Sequence, residues 1–89
     1  MDREWYFYIV RCKDNSLYSG ITTDVNDRVR EHNSGNGAKY TLYRRPVTLV
    51  YIERFNNVSK ARKREIQVKG WSRIKKERLI VGFPRLRSG

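Results

Sequence analysis

The 89-residue chain carries 20 Lys and Arg against 9 Asp and Glu, which gives a formal net charge of +11. This length predicts a single domain at residues 1–84 with a flexible tail at 85–89, and the 12% aromatic content indicates a packed core. The longest apolar run has six residues, far fewer than the roughly 20 that span a bilayer, so a membrane span is excluded. With one cysteine and no signal-like N-terminus, we expect a cytoplasmic protein without an internal disulfide.

The positive charge is confined to one half of the chain. Residues 1–42 hold six basic and six acidic side chains, whereas residues 43–89 hold fourteen basic and three acidic ones. Such an asymmetric field concentrates polyanions, and neutralised phosphates release condensed counterions. Nucleic acid is therefore the expected partner; a membrane surface is the weaker alternative, and a basic protein whose charge serves only solubility is the plainest one.

The first half of the chain predicts a hairpin and a helix. Aromatic and β-branched residues at 5–10 and 17–22 indicate two strands, and the turn-forming residues at 13–16 between them indicate a β-hairpin. Asp24 is the predicted N-cap of a short helix at 25–32, which the following Asn-Ser-Gly sequence terminates.

The second half predicts a strand and two helices after a connecting loop. The loop is expected at 34–46, the strand at 47–55, and the helices at 58–69 and 73–81, the last with Ser72 as its N-cap. The order ββαβαα predicts a small α/β sandwich, in which helices flank a three-stranded, mainly antiparallel sheet.

Two polar side chains lie on the apolar face of the first predicted helix. At 100° per residue, Arg28 and His32 fall in one stripe with Val25 and Val29. His32 is open to two interpretations, a buried structural histidine that interacts with the helix dipole or a functional group. Arg28 is either a side chain whose stem lies along the core edge with its head in water, or an anion ligand.

Glu65 is the lone carboxylate of a basic helix and falls within the apolar stripe of Ala61 and Val68. An unpaired charge there would be costly, so the carboxylate needs a cation. One interpretation is an ion pair with an arginine, such as Arg28. The other is a ligand for a hard divalent ion such as Mg²⁺, which takes only one or two protein carboxylates and keeps several waters.

Tyr8 and Tyr18 lie on the two strands of the predicted hairpin. A four-residue loop would place the two phenols on opposite faces of the sheet, and an odd loop or a bulge would place them on one face. We expect the odd register, although each tyrosine on its own is more typical of ordinary sheet packing.

The combined pattern resembles the GIY-YIG nuclease family, specifically its small stand-alone bacterial members, over nearly the whole chain. The matching motifs, in the order and spacing of that family, are Tyr6-Phe7-Tyr8 at the GIY position, Tyr18-Ser19-Gly20 at the YIG position, Gly-Ile-Thr-Thr-Asp at 20–24, Arg28 with His32, and Glu65. Neither triplet is literal, because Tyr6 replaces a glycine and Ser19 replaces the middle residue.

The resemblance implies an endonuclease that hydrolyses DNA phosphodiester bonds with low sequence specificity, on branched or single-stranded structures among others. It implies that Glu65 holds one Mg²⁺ or Mn²⁺ ion, that Arg28 contacts the scissile phosphate and that a tyrosine, Tyr8 or Tyr18, takes the proton of the attacking water. His32 would accept that proton or orient a tyrosine. We expect these groups to meet beside a solvent-filled pocket.

One departure from the family pattern is Glu77, which stands where many members use an asparagine beyond the glutamate. It leaves open an alternative function, a DNA- or RNA-binding module of the same fold without catalysis. Under either function the basic half would supply the affinity. The candidate nucleic-acid contacts are Lys39, Tyr40, Arg44, Arg45, Arg62 and Lys69, with solvated surface charge as the alternative for the loop residues.

Overall fold

The computed structural model describes residues 3–83; the predicted tail at 85–89 and the end of the predicted domain at residue 84 lie outside the described residues. The chain forms a three-stranded antiparallel sheet in the order β2-β1-β3, which confirms the predicted fold class. The strands are β1 at Trp5–Arg11, β2 at Leu17–Thr22 and β3 at Thr48–Phe55. β1 is therefore the central strand and pairs on both sides, and β2 is an edge strand.

Within residues 3–83, four helices flank this sheet: α1 at Val25–Ser34, α2 at Lys39–Leu42, α3 at Val58–Lys69 and α4 at Arg73–Val81. The predicted caps are confirmed, because the side chain of Asp24 accepts from the Asp27 N–H and that of Ser72 accepts from the Lys75 N–H. None of the helices within residues 3–83 combines the length and the apolar character that crossing a bilayer requires.

Two boundaries differ from the prediction. Helix α1 runs to Ser34 because Gly35, with φ of 93°, is the residue that adopts the left-handed conformation and ends it. The predicted loop at 34–46 contains α2, a helix of only four residues, which is too short to give the sequence a helical period.

The register of the hairpin decides where the phenols lie. Val10 pairs with Tyr18 and Tyr8 pairs with Gly20, across a loop that begins at Cys12 and ends at Ser16. Side chains alternate along a strand, so this odd loop places both phenols on one face of the sheet. The odd register is confirmed.

The two faces of the sheet are covered by different helices. On one face, Phe7 and Ile9 pack with Val68 of α3, and the apolar side of α4 lies against them. On the other face, Tyr8 and Val10 pack with Val29 of α1. Burial of each large apolar side chain contributes about 1.5–3 kcal/mol, which fixes both helix layers on the sheet.

Candidate active site

A buried chain of hydrogen bonds lies between the sheet, α1 and α2. The Tyr8 hydroxyl is 2.9 Å from Nε2 of His32, and Nδ1 of the same ring is 2.9 Å from Oγ1 of Thr41. The Thr41 hydroxyl donates to the carbonyl of Ala38 at 3.0 Å. Tyr8, His32 and Thr41 are all between 0 and 1% exposed, so this polar network is enclosed by protein.

Two glycines leave the space that this network occupies. A Cβ atom on Gly20 would lie 2.6 Å from the Tyr8 hydroxyl, and a Cβ atom on Gly37 would overlap the His32 ring at Nδ1. The glycine of the YIG-like triplet is therefore needed because the phenol of the neighbouring strand crosses over it. Gly37, which the sequence analysis treated only as a loop residue, is needed because the imidazole packs against its backbone.

The charges around Tyr8 and His32 favour one protonation state. Burial raises the pKa of Tyr8, and the nearby guanidinium of Arg28 opposes the rise. Burial lowers the pKa of His32, Arg28 lowers it further, and the carboxylate of Glu31 opposes that effect. At neutral pH the phenol is therefore protonated and the imidazole is neutral.

Arg28 lies beside this network and remains partly accessible. It donates to Oε1 of Glu31 at 2.8 Å, and its side chain is 30% exposed. The hydrogen bond to Glu31 is the main cause that raises the pKa of Arg28. The guanidinium is thus held near the Tyr8 phenol by a partner on its own helix, with donors left for an incoming anion.

Tyr18 forms the aromatic wall at the edge strand. Its ring meets His32 edge-on, with centroids 5.4 Å apart, and stacks on Tyr40 with centroids 5.7 Å apart and an interplanar angle of 22°. The Lys69 ammonium lies 5.9 Å from the centroid of Tyr18. The Tyr18 ring therefore contacts α2 through Tyr40 on one side and lies near α3 at Lys69 on the other.

Glu65 reaches this edge from α3. Its carboxylate is 3.1 Å from Nζ of Lys69 and 3.4 Å from a guanidinium nitrogen of Arg62. Burial is the main cause that raises the pKa of Tyr8, and the negative charge of Glu65 raises it further. The carboxylate therefore lies within electrostatic range of the phenol. The structure thus brings Glu65 and the two phenols to the same edge of the sheet, and their chemical roles stay predictions.

The proposed ion pair between Glu65 and Arg28 is wrong. Arg28 pairs with Glu31, and Glu65 pairs with Arg62 and Lys69, which lie three residues before it and four after it on its own helix. The expected open pocket is not seen in the described part of the chain, because Glu65 is only 7% exposed beneath these cations.

The donor set at Glu65 fits a hard divalent ion held largely by water. Within residues 3–83 no group of three or more His, Cys, Asp or Glu side chains could enclose a metal. One carboxylate near the surface is compatible with Mg²⁺ or Mn²⁺, which can keep several waters, whereas a structural zinc site needs four protein ligands.

Two of the predicted nucleic-acid contacts, which follow α2 in the chain, make bonds within the protein. Arg44 donates to Asp14 at 3.1 Å and to the carbonyl of Tyr40 at 2.7 Å, and its guanidinium covers the Tyr40 ring at 4.0 Å. Arg45 donates to the carbonyl of Leu42 at 2.7 Å. These arginines fasten α2 to its surroundings, while Lys39 is exposed; a role of any of them toward nucleic acid remains a prediction.

Glu77, at the position of the family asparagine, belongs to an ion-pair cluster away from the phenols. Its carboxylate accepts two hydrogen bonds from Arg11 of β1, at 2.7 and 2.8 Å, and one from Arg73 at 2.9 Å. The bonds from Arg11 are the main cause that lowers the pKa of Glu77 to about 2. Glu77 therefore anchors α4 to β1.

Thr41, Gly37 and Glu31 are the groups around the site that the sequence analysis missed. Glu31 could have been found from its position three residues after Arg28, where helical side chains meet. Thr41 and Gly37 carry no comparable signal, because they contact His32 through the tertiary structure of a segment that resembles a loop.

Comparison with known proteins agrees with the fold. Residues 4–78 match the GIY-YIG catalytic domain. A UPF0213 protein of Staphylococcus haemolyticus is 56% identical over 75 residues, covering 84% of this chain and 92% of the relative. A UPF0213 protein of Staphylococcus saprophyticus is 55% identical over 80 residues, covering 90% and 96%.

Two solved structures are also similar. The solution NMR structure of a UPF0213 protein from Bacillus halodurans shares 47% identity with a TM-score of 0.58, covering 88% of this chain and 83% of that one. A solution NMR structure of a protein from E. faecalis shares 40% identity with a TM-score of 0.62, covering 100% and 97%. The chain belongs to the GIY-YIG family, among the UPF0213 proteins.

Proposed function

We propose that this protein is a metal-dependent endonuclease that hydrolyses DNA phosphodiester bonds with low sequence specificity. The observation that supports it best is that a guanidinium and an imidazole from α1 and a carboxylate from α3 lie around the Tyr8 phenol of β1. Hydrolysis of a phosphodiester adds negative charge to its oxygens and releases a proton from water, and these groups can serve both needs.

Arg28 is the proposed phosphate ligand. Its planar fork suits two phosphate oxygens, and its partial exposure leaves it open to substrate. A fixed positive charge that lies where negative charge develops stabilises the transition state more than the ground state.

Tyr8 is the proposed proton acceptor. Because burial raises its pKa, the phenol is protonated at neutral pH and can take a proton from water only by giving up its own. Its hydroxyl is 2.9 Å from Nε2 of His32, which in its unprotonated form can receive that proton as water attacks. Tyr18, more exposed at the strand edge, is the alternative base.

Glu65 would hold the divalent ion, Mg²⁺ or Mn²⁺, which would polarise a phosphate oxygen and stabilise the leaving group. For this, the exposed side chains of Arg62 and Lys69 move from the carboxylate toward the phosphates of the substrate. Both are about half exposed and flexible, so the rearrangement needs no change of the backbone.

The experiment is cleavage by the purified protein of labelled duplex, branched and single-stranded DNA with Mg²⁺ or Mn²⁺ and with a chelator. We expect metal-dependent products, and a fall in rate on the order of 10²-fold or more for Tyr8→Phe. Tyr6→Phe is the matched control, because Tyr6 lies on the same strand and its hydroxyl bonds to the exposed Glu4 at 3.3 Å. Equal rates for Tyr8→Phe and the wild type would remove Tyr8 from the mechanism.

The second candidate function is binding of DNA or RNA without catalysis. The observation that favours it is the neutralisation of Glu65 by Arg62 and Lys69 in the free protein. It predicts salt-sensitive binding that is the same with and without chelator, and no cleavage of any substrate in the panel. That pair of results would replace the nuclease proposal.

A further inference from the structure

Thr41 is a buried polar residue that has no role in the reaction proposed above. It is 0% exposed, lies on the four-residue helix α2, and makes two hydrogen bonds, one to Nδ1 of His32 and one to the carbonyl of Ala38. A threonine that only filled space would not need both bonds. The two bonds together determine the direction of every proton in the network.

The direction follows from the number of protons on each group. A carbonyl oxygen only accepts, so the two contacts of Thr41 are both hydrogen bonds only when its single hydroxyl proton points to Ala38. Oγ1 then meets Nδ1 of His32 with a lone pair, and Nδ1 must carry the ring proton. A neutral imidazole has only one such proton, so Nε2 has a free lone pair that accepts from Tyr8.

The opposite tautomer does not fit these contacts. With the proton on Nε2, Thr41 would have to turn its hydroxyl proton from Ala38 to Nδ1 and lose the bond to the carbonyl, and Nε2 could not take a proton from Tyr8. The charged and titratable groups that face the ring are Arg28 and Glu31 of α1, Tyr8 of β1 and Tyr18 of β2. Gly37 packs against the ring at Nδ1, so the acceptor there is Thr41 and not solvent.

We propose that Thr41 is a positioning residue that, through its anchor on Ala38, selects the Nδ1-protonated tautomer of His32 and so keeps Nε2 ready to receive the proton of Tyr8. This inference rests on the proposed nuclease function for its catalytic consequence. Its structural part, the choice of tautomer, stands without any activity.

The first test is the tautomer itself, read from the nitrogen chemical shifts of the His32 ring by NMR. The chain contains one histidine, so the signals need no further assignment in a tag-free protein. We expect the wild type at neutral pH to show a protonated Nδ1 and an unprotonated Nε2. We expect Thr41→Val to lose this preference, because valine keeps the shape and removes the acceptor, and Thr41→Ser to restore it.

The second test is the rate of DNA cleavage by the same variants. We expect kcat of Thr41→Val to fall about 10- to 100-fold with KM within about twofold, because proton transfer is impaired while substrate contacts are kept. Thr41→Ser should be within a few-fold of the wild type. Thr48→Val is the control, because it makes the same chemical change at an exposed position of β3.

The outcomes separate the two proposals. A wild-type ring that is protonated on Nε2, or a Thr41→Val ring that keeps the Nδ1 proton, overturns the role of Thr41. A changed tautomer with an unchanged rate overturns its role in the reaction. If the wild type cleaves no DNA, the nuclease proposal fails while the NMR result still decides the tautomer. If Thr41→Val does not fold, Thr41→Ala, which also removes the hydroxyl, replaces it in both tests.

Discussion

Glu77 on α4 and Glu65 on α3 are both carboxylates of strongly basic helices, yet the structure uses them differently. Glu77 accepts a bidentate pair of hydrogen bonds from Arg11 of β1, a distant part of the chain, and a further bond from Arg73 of its own helix. Glu65 is more deeply covered, 10% of its side chain being exposed against 31% for Glu77, and meets only single contacts at 3.1 and 3.4 Å from its own helix.

This difference distinguishes a carboxylate that holds two elements together from one that can exchange its partners without loss of a contact between elements. The pair of Arg11 and Glu77 joins two elements, and breaking it would weaken the attachment of α4 to the sheet. The cations at Glu65 join nothing that the helix does not already hold together, because side chains three and four residues apart are neighbours on any helix. Depth of burial alone would have ranked the two carboxylates in the wrong order.

The strongest test of the comparison is Glu65→Gln. We expect DNA cleavage to fall on the order of 10³-fold, because the variant keeps the shape of the side chain and loses the charge that would hold the metal. We expect the melting temperature to change by less than about 4 °C, because pairs with half-exposed cations of the same helix contribute about 0–1 kcal/mol. Cleavage assays and thermal unfolding of the same preparation measure both.

A large loss of stability together with the loss of activity would contradict this prediction, since Glu65 would then be a second structural carboxylate. Glu31→Gln is not a suitable control because Glu31 holds Arg28. Glu4→Gln is suitable, because Glu4 is an exposed carboxylate whose ion pair with Arg54 lies at 3.6 Å.

The second prediction concerns Arg28, whose partner, unlike that of Arg11, leaves it free to bind substrate. Arg28→Lys should cleave DNA on the order of 10²-fold more slowly, because an ammonium keeps the charge and lacks the fork that binds two phosphate oxygens. Arg30→Ala is the control on the same helix, since Arg30 is 71% exposed and pairs with Asp27. A lysine variant as active as the wild type would show that charge alone is needed at this position.

The third prediction concerns Glu77, the structural member of the comparison. Glu77→Gln should lower the free energy of unfolding by about 1–2 kcal/mol, a value reduced for solvent screening because the side chain is 31% exposed. The variant should cleave DNA like the wild type at temperatures where it is folded. Urea unfolding measured by circular dichroism gives the stability, with Glu4→Gln as the surface control.

The same residue gives a pH dependence with a definite sign. The ordinary pKa of 4.5 is lowered to about 2 in the folded protein, chiefly by the hydrogen bonds from Arg11. A lowered carboxyl pKa stabilises the fold above the unfolded value, and this stabilisation is lost as the pH falls from about 4.5 toward about 2. The wild type should lose more stability across that window than Glu77→Gln; parallel pH profiles would contradict the cluster.

The elements of the fold were accessible from the sequence because their signals are local. Aromatic and β-branched runs indicated the strands, and Asp24 and Ser72 indicated the helix starts by their ability to accept a backbone N–H. Helical periodicity also placed Arg28 and His32 on the inner face of α1. The elements and the inward-facing residues therefore needed no tertiary information.

The partners of those residues were less accessible. The acceptor of the His32 ring proton is Thr41, which follows a bend at Gly35 and a helix too short to have a period. Glu65 was correctly placed inward, but its cation was sought on another helix although Lys69 stands four residues later on its own. Sequence distance gave no indication of Thr41 as the partner of His32, whereas it would have identified Lys69 as the partner of Glu65.

The smallest expected effect concerns Lys69, which would leave Glu65 for a phosphate when DNA binds. Lys69→Gln should reduce the slope of log affinity against log salt by about 0.9, the contribution of one phosphate contact. Lys63→Gln is the matched control, because Lys63 is also exposed on α3, about 120° around the helix axis from Lys69, and the charge change is the same. Binding to labelled DNA in the presence of chelator, over a range of salt, measures the slopes.

Equal slopes for the two lysine variants would mean that DNA responds to the general field of the helix, and Lys69 would then be no more than the counter-charge of Glu65. A reduced slope for Lys69→Gln alone would mean that the cation over Glu65 has a second partner in the complex. In that case the carboxylate loses its neighbour at the moment the substrate arrives, and its charge becomes available to a metal. The ion pairs with Arg62 and Lys69 would then explain why the Glu65 carboxylate can stay buried and charged in the free protein before a metal binds.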